Sequence, residues 1–407
     1  MEKILPTKTD MMANLLKGVD EIIPRQCFDD LLESEQKLVI KLGADPTASN
    51  LHLGHTVILN KLKIFQDMGH QVVFIIGDFT AAIGDPTGKS KTRPPLDSDD
   101  VTKHAATYAK QVFKILDPKK TIIKYNSEWL ADKSATDIIK LAASQTVARM
   151  LERDDFAKRY SSNQAISIHE LLYPLLQGYD SVAIDSDIEL GGRDQKFNLL
   201  MGRELQKKFG KKQQCIFTMP LLEGLDGINK MSKSLSNTID LEDGPDDMFG
   251  KIMSISDDLM WRYYDLLSFK STDDINSLKS QVANGKNPRD VKILLAQEIV
   301  ARFHDASAAN NATVEFSQRF AKNEMPTEID TVTISTADSE LPLSYILKHA
   351  NLVSSSSEGI RMIKQGAVKI DGEKVITNEF IAVMQDPFLL QVGKRRFARI
   401  KIAQVKG

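Results

Sequence analysis

The chain has 407 residues, 42% hydrophobic and 27% charged, with a formal net charge of −2. This ordinary globular composition excludes a disordered, collagen-like or bilayer-embedded chain, and the length suggests two or three domains. The near-neutral total excludes a basic field over the whole surface, yet residues 342–407 hold 11 Lys/Arg against 5 Asp/Glu, a balance of +6 that leaves −8 for the rest. A basic tail on an acidic body fits contact with a polyanion at one end. Cys27 and Cys215 lie far apart and form neither a zinc-ligand spacing nor a disulfide framework, so a reducing cytoplasm is the expected setting and no zinc is expected. "MEKILPTKTDMM" lacks a signal peptide's apolar core, and no apolar run approaches the roughly 20 residues that span a bilayer, so no membrane partner is expected.

Residues 1–36 read as a helical lead-in, with Leu15, Leu16, Val19, Ile22 and Ile23 as apolar positions before Pro24. "KLVIKL" (37–42) is a strand candidate. Leu53 to Met68 carries Ile58, Leu62 and Phe65 at i, i+4 and i+7, with Gly69 as terminator, which predicts a helix. "QVVFIIGD" (71–78) has the continuous apolar run of a strand buried on both faces. Strand, helix and strand in close succession make a βαβ unit, so the body opens as a parallel-sheet α/β fold. Further strands are predicted at "TIIKYN" (121–126), "SVAIDSDIEL" (181–190) and "QCIFTMPLL" (214–222). A helix from Asp194 to Phe209 puts Phe197, Leu200, Leu205 and Phe209 on one face, and residues 245–323 are mainly helical. "PTEIDTVTISTADSE" (326–340) is polar and reads as a linker, followed by two short helical patterns and a hairpin signal at Asp371-Gly372.

His52 and His55 stand three apart at the start of the first predicted crossover helix. Metalloprotease histidines stand four apart with Glu between, and no Cys lies near, so a metal site fits poorly. Two polar rings preceded by Asp45, Thr47, Ser49 and Asn50 also make poor core filling. A helix N-terminus after the first strand of a parallel sheet attracts anions, which favours phosphate; Gly54 leaves room for a flat ring to approach. The common glycine loops are missing. "GDPTGKS" (84–90) has its first glycine one place late for a P-loop, and the first strand-to-helix turn lacks G-x-G-x-x-G. "GLDGINKMSKSLSN" (224–237) puts Lys230 and Lys233 among Gly, Asn and Ser, as in a mobile loop with two cations. A solvated loop is the plain reading. Paired with the histidines, it suits the charge developed in phosphate transfer.

"HLGH" (52–55) and "KMSKS" (230–234) resemble the two signature motifs of class I aminoacyl-tRNA synthetases. "LGADPT" (42–47), "LLQGYD" (175–180) and "ELGGRDQ" (189–195) resemble the bacterial-type tyrosyl-tRNA synthetase family, in its branch with a full KMSKS motif. The resemblance implies that His52 and His55 bind ATP phosphates and stabilise the transition state, while Lys230 and Lys233 neutralise departing pyrophosphate, with Mg²⁺ sharing that work. Asp45, Thr47, Gly54, Gly191, Gly192, Asp194, Met231, Ser232 and Ser234 would complete the ATP site, Asp194 holding the ribose. Asp85, Tyr173 and Gln177 would grip the α-amino group of tyrosine, Asp180 its hydroxyl, and Gln195 would face its carboxylate. Tyr173, Gln177 and Asp180 recur at i, i+4 and i+7, which turns them to one side of a helix that Pro174 must kink or begin.

Two positions depart from the better-known branch. Lys41 stands where that branch has a tyrosine that helps bind the substrate hydroxyl, and Arg193 replaces a small hydroxyl residue. After Pro342 the tail resembles the S4 type of RNA-binding module, with Lys364, Lys369, Lys394, Arg395, Arg396 and Arg399 as phosphate contacts to tRNA(Tyr). The expected organisation is a lead-in (1–36), a Rossmann-like parallel-sheet catalytic domain (37–225), an α-helical domain with the lysine loop (226–325), a linker (326–340) and a small α+β S4-like domain (341–407). A homodimer with its interface around 100–150 is implied. Tryptophanyl-tRNA synthetase shares the core but generally lacks the tail and the "LLQGYD" carboxylate. An RNA-binding protein without catalysis would not need intact His52, His55, Lys230 and Lys233.

Overall fold

A computed structural model describes residues 7–46, 50–85, 98–321, 329, 331–336, 340–353, 355–378, 380–382, 387–393 and 396–404. Residues 1–313 form one compact unit and 314–407 a second. The apolar runs of the first unit become β1 (Glu21–Ile23), β2 (Val39–Ala44), β3 (Gln71–Ile76), β4 (Thr121–Tyr125), β5 (Ile188–Gly192) and β6 (Cys215–Met219). They form one sheet of order β1-β6-β5-β2-β3-β4. All neighbours pair in parallel except β1, which runs antiparallel to β6. Val72 to Ile76 of β3 are all buried, as a strand covered on both faces requires. The helix Leu53–Asp67 crosses from β2 to β3 and buries Leu53, Val57, Leu59, Leu62 and Phe65.

Strand order reverses between β2 and β5. From β2 the chain steps outward through β3 and β4, then returns to the other side of β2 for β5 and β6. The β2–β5 ladder is short, joining only Ile40 to Ile188 and Lys41 to Glu189. Above it the carboxyl ends of the two strands bound a crevice, where open α/β sheets bind ligands.

Three local expectations need correction. The lead-in contains β1, because Glu21–Ile23 adds an edge to β6. The strand expected over 181–190 begins only at Ile188; Ser181 to Ala183 end the helix Ile168–Ala183, and Asp185 at φ 51° turns the chain. The stretch 326–340 is not wholly a linker, since its β-branched "TVTIST" forms β7 (Thr331–Thr336).

The second unit continues with β8 (Glu340–Pro342), β9 (Val368–Ile370), β10 (Glu373–Val375), β11 (Phe380–Ala382), β12 (Phe388–Val392) and β13 (Arg396–Gln404). Four of these join β7 in a sheet of order β10-β9-β12-β13-β7, and β8 pairs with β11. The helices Leu343–His349 and Ser356–Lys364 supply Leu343, Ile346, Leu347 and Ile363 to a core shared with Val368, Leu390, Val392 and Ile400. The predicted hairpin joins β9 to β10, with Asp371 and Gly372 both at positive φ. Among the described residues no helix is long and apolar enough to cross a membrane.

The helices Ile168–Ala183 and Lys196–Lys208 touch most closely at Gly178, where a Cβ would lie 3.0 Å from the Gly202 amide nitrogen and 3.1 Å from the Met201 carbonyl carbon. Backbone atoms cannot yield as a flexible side chain can. Gly178→Ala is therefore expected to destabilise the first unit by ~1–3 kcal/mol despite its better helix propensity, lowering the unfolding midpoint in urea. An unchanged or higher midpoint would show that the helices can part without loss.

Candidate active site

Two cavities open from the crevice. The inner one, ≈ 260 Å³, is lined by Asp45, Asp85, Tyr173, Gln177, Asp180 and Gln195 among others. The outer one is lined by His52, Gly54, Asp194, Leu222 and the stretch Lys230 to Ser234. His55, Asp85, Gly192 and Gln195 line both, so the cavities form one tract.

The helix Ile168–Ala183 brings Tyr173, Gln177 and Asp180 to the inner cavity as their spacing predicts, with Pro174 well inside the helix. Asp180 is 3% exposed. One carboxylate oxygen accepts from Trp129 Nε1 at 2.9 Å, and the other from Asn126 Nδ2 at 3.5 Å. Burial pushes its carboxyl up to about 7, with the Lys41 charge the largest opposing influence. Asp45, expected on the nucleotide side, faces the inner cavity instead. It accepts from Thr80 Oγ1 at 2.7 Å and Tyr173 Oη at 2.8 Å. Gly77 makes this possible, because a Cβ there would lie 2.1 Å from Asp45 Oδ1. Burial lifts Asp45 to about 7 as well.

Asn198 joins the remaining polar groups. Its Nδ2 donates to Gln177 Oε1 and to Gln195 Oε1, each at 2.9 Å, and Gln195 Nε2 donates to Asp85 Oδ2 at 2.9 Å. Asn198 thus sets the orientation of both glutamine amides. Asn198, Asn126, Trp129 and Thr80 are residues that sequence reasoning missed; they support cavity-lining groups from other elements, and only Asn198, three places after Gln195, carried a local cue. Lys41 does not line the cavity. Its ammonium is 2.7 Å from Oε1 of Glu189, which does line the cavity.

In the outer cavity, His52 caps the helix Leu53–Asp67, and its backbone N–H donates to His55 Nδ1 at 3.1 Å. The His55 proton therefore resides on Nε2. Burial drives both rings toward neutrality, His55 down to about 4 and His52 down to about 2, each helped by nearby positive charge. They are neutral N–H donors, and the positive charge comes from the lysines. The space freed at Gly54 is taken by His52 itself, since a Cβ would lie 3.0 Å from its ring.

The lysine loop is tied down more firmly than its composition predicts. Ser232 N donates to Asn237 Oδ1 at 2.8 Å, and Asn237 Nδ2 donates to Asp226 Oδ2 and the Lys230 carbonyl at 3.1 and 3.2 Å. Met231 N donates to the Leu222 carbonyl at 2.8 Å. Past the loop, Leu53 N donates to the Ile239 carbonyl and Leu241 N to the Leu51 carbonyl, so the two signature segments are zipped together around His52 and Asp240. Lys230 pairs with Asp194 at 3.1 Å, and Lys233 lies 3.8 Å from Asp240. Arg193 is exposed and lines a groove with Arg149, Arg153 and Lys158 that shares Asp194 with the outer cavity.

In the second unit, Lys364, Lys369 and Arg399 are exposed. Ladder partners share a sheet face, and the pairs Lys374–Lys369, Lys369–Gln391 and Leu389–Arg399 place Lys369, Lys374 and Arg399 on the face away from the core. Arg396 stands on the other face at the start of β13, with its side chain still 41% exposed. It pairs with Val392 on the core face, and its Nη1 donates to the Leu352 carbonyl and lies 3.5 Å from Glu358 Oε1. Thr47, Lys394 and Arg395 lie outside the described residues.

The chain matches the tRNA synthetases class I (W and Y) family over residues 33–321 and the S4 domain over residues 341–381. It is 56% identical to "Tyrosine--tRNA ligase" of Idiomarina loihiensis over 393 residues, 97% of this chain and 98% of that protein. It is 58% identical to "Tyrosine--tRNA ligase 2" of Vibrio vulnificus over 392 residues, covering 96% and 98%. The fold is similar to that of the C-terminally truncated mitochondrial tyrosyl-tRNA synthetase of Aspergillus nidulans, with a TM-score of 0.65 at 21% identity, covering 77% of this chain and 94% of that one.

Asn237 fixes the lysine loop through three hydrogen bonds. Asn237→Ala is expected to speed amide hydrogen exchange over residues 230–237 about tenfold or more, while exchange in β3 stays unchanged. Unaltered exchange across the loop would show that its backbone contacts hold it without Asn237.

Proposed function

Because the chain belongs to the class I tRNA synthetases (W and Y), we propose that its joined cavities activate L-tyrosine with ATP and pass the tyrosyl group to tRNA(Tyr). The observation that carries tyrosine is the inner cavity's end, where a buried Asp180 carboxylate awaits a donor and already holds Trp129 and Asn126. A phenolic hydroxyl supplies that donor. Asp85, Tyr173 and Gln177 receive the α-amino group, and Gln195, on the wall shared by both cavities, orients the carboxylate toward the α-phosphate.

ATP lies in the outer cavity, its ribose on Asp194 beside Gly191 and Gly192. The tyrosine carboxylate attacks the α-phosphate and pyrophosphate leaves. The His55 Nε2–H and His52 donate to phosphate oxygens as neutral groups, while Lys230 and Lys233 exchange Asp194 and Asp240 for the departing charge. Mg²⁺ arriving as part of the ATP substrate would supply further positive charge at the phosphates. A terminal ribose hydroxyl of tRNA then takes the tyrosyl group. Both nucleophiles belong to substrates, so proximity and fixed charge do the catalysis.

The dimer reading is supported by large apolar side chains exposed on the first unit, including Ile122 on the edge strand β4, Ile139 and Val147, continuing to Ile168. For tRNA, the cationic sheet face of Lys369, Lys374 and Arg399 fits a phosphate backbone.

Two experiments test this reading. Lys230→Ala with Lys233→Ala should slow tyrosine-dependent ATP–pyrophosphate exchange by about two orders of magnitude or more while the tyrosine dissociation constant holds. Equal losses in both would make the lysines part of the ground-state pocket. Lys369→Glu with Arg399→Glu in the full chain should leave pyrophosphate exchange intact and weaken tRNA charging, with the salt dependence of charging reduced by about two charges. Charging unchanged at physiological salt would remove this face from tRNA binding.

A further inference from the structure

Asn198 lines neither cavity, yet it holds two residues that do. It is buried in the first turn of the helix Lys196–Lys208, where a polar side chain needs partners. Both N–H bonds of its Nδ2 are engaged, one by Gln177 Oε1 and one by Gln195 Oε1. Its Oδ1 accepts from Arg153 Nη1 at 3.4 Å. The Arg153 guanidinium is itself fixed, since its Nε and Nη2 donate to the two Asp155 carboxylate oxygens at 2.7 and 2.8 Å. The polarity of this chain is set at both ends. A guanidinium only donates, so Asn198 must turn its oxygen to Arg153 and its NH₂ to the glutamines. A carboxylate only accepts, so Gln195 must turn Nε2 to Asp85 and its oxygen to Asn198. Either end dictates the same arrangement.

We propose that Asn198 is a positioning residue for the charged end of the amino acid: it locks Gln177 and Gln195 in the amide orientations that receive the α-ammonium and the α-carboxylate. This rests on the tyrosine reading above and deepens it. What each amide has left over matches one of those groups. Gln177 Oε1 keeps a second lone pair, an acceptor for the ammonium, and Gln195 Nε2 keeps a second N–H, a donor for the carboxylate. Reversed, each amide would present the wrong atom, a donor to the ammonium or an oxygen to the carboxylate. One asparagine thus orients two glutamines that come from different elements, Gln177 from the helix Ile168–Ala183 and Gln195 from the turn after β5. The phenol end is held by Asp180, Trp129 and Asn126, none of which Asn198 touches.

The test compares the full chain with Asn198→Leu, which keeps the bulk of the side chain and removes its donors. Dissociation constants are measured for tyrosine, for tyramine, which lacks the carboxylate, and for para-hydroxyphenylpropionate, which lacks the ammonium. Freeing one amide should weaken each analogue about fivefold, while tyrosine, which uses both, should weaken about 25-fold. Asn198→Asp keeps the shape and the contact to Arg153 but offers the glutamines no donor, so tyrosine binding should fall there too; it carries the test if the leucine variant does not fold. Equal losses for all three ligands would mark Asn198 as a structural tie and overturn the proposal. So would wild-type affinity for tyrosine in either variant, or a loss confined to one analogue, which would leave the other glutamine oriented without Asn198. A wild type that binds none of the three phenols would contradict the tyrosine reading itself, which sets that failure apart from a failure of Asn198.

Discussion

The structure depends on the parting of β2 and β5. Their ladder ends at Lys41 and Glu189, and the chain leaves each strand on a different side of the opening. Asp45 follows one strand, Asp194 and Gln195 the other, and the helix Ile168–Ala183 provides the wall between them. A longer ladder would close the inner cavity. The buried pair at its end puts Glu189 in the cavity lining, with Lys41 bound to it.

Charge is sorted along the tract. The inner cavity is acidic, with Asp45, Asp85 and Asp180 around a space suited to an ammonium at one end and a phenol at the other. The outer cavity has neutral imidazoles and two lysines resting on carboxylates. Those lysine pairs are partly solvent-exposed, and such pairs are weak, so under the proposed function a polyphosphate would displace Asp194 and Asp240 at small cost. The strand-like pairing around His52 and Asp240 keeps histidines and lysines in register whether or not the lysines have swapped partners.

Much of this was legible in the sequence where signals are local. The apolar run of β3, the helix after the histidines, the i, i+4, i+7 spacing of Tyr173, Gln177 and Asp180, and the Asp371-Gly372 turn each follow from periodicity or φ preference. What was not legible depends on distant partners. Nothing near Glu21–Ile23 announces that β6 offers an edge, and nothing near Trp129 or Asn126 points to Asp180. Lys41 stood out only as a departure from the better-known branch; its partner is 148 residues away in sequence and only the ladder brings them together. Arg396 shows another limit: the strand's alternation puts it on the core face, yet its side chain stays half-exposed at the strand's start.

The central claim is that a buried carboxylate at the end of the inner cavity chooses the amino acid. Under the proposed function, bound phenylalanine would leave Asp180 without a charge-assisted hydrogen bond and still desolvated, a penalty that an apolar pocket could not impose. The direct measurement is ATP–pyrophosphate exchange driven by tyrosine and by phenylalanine, in the wild type and in Asp180→Ala. The account predicts a sharp loss of tyrosine activation and a tyrosine-to-phenylalanine ratio narrowed by ~2–4 kcal/mol. A ratio that survives the substitution unchanged would contradict it and place recognition of the hydroxyl elsewhere in the cavity.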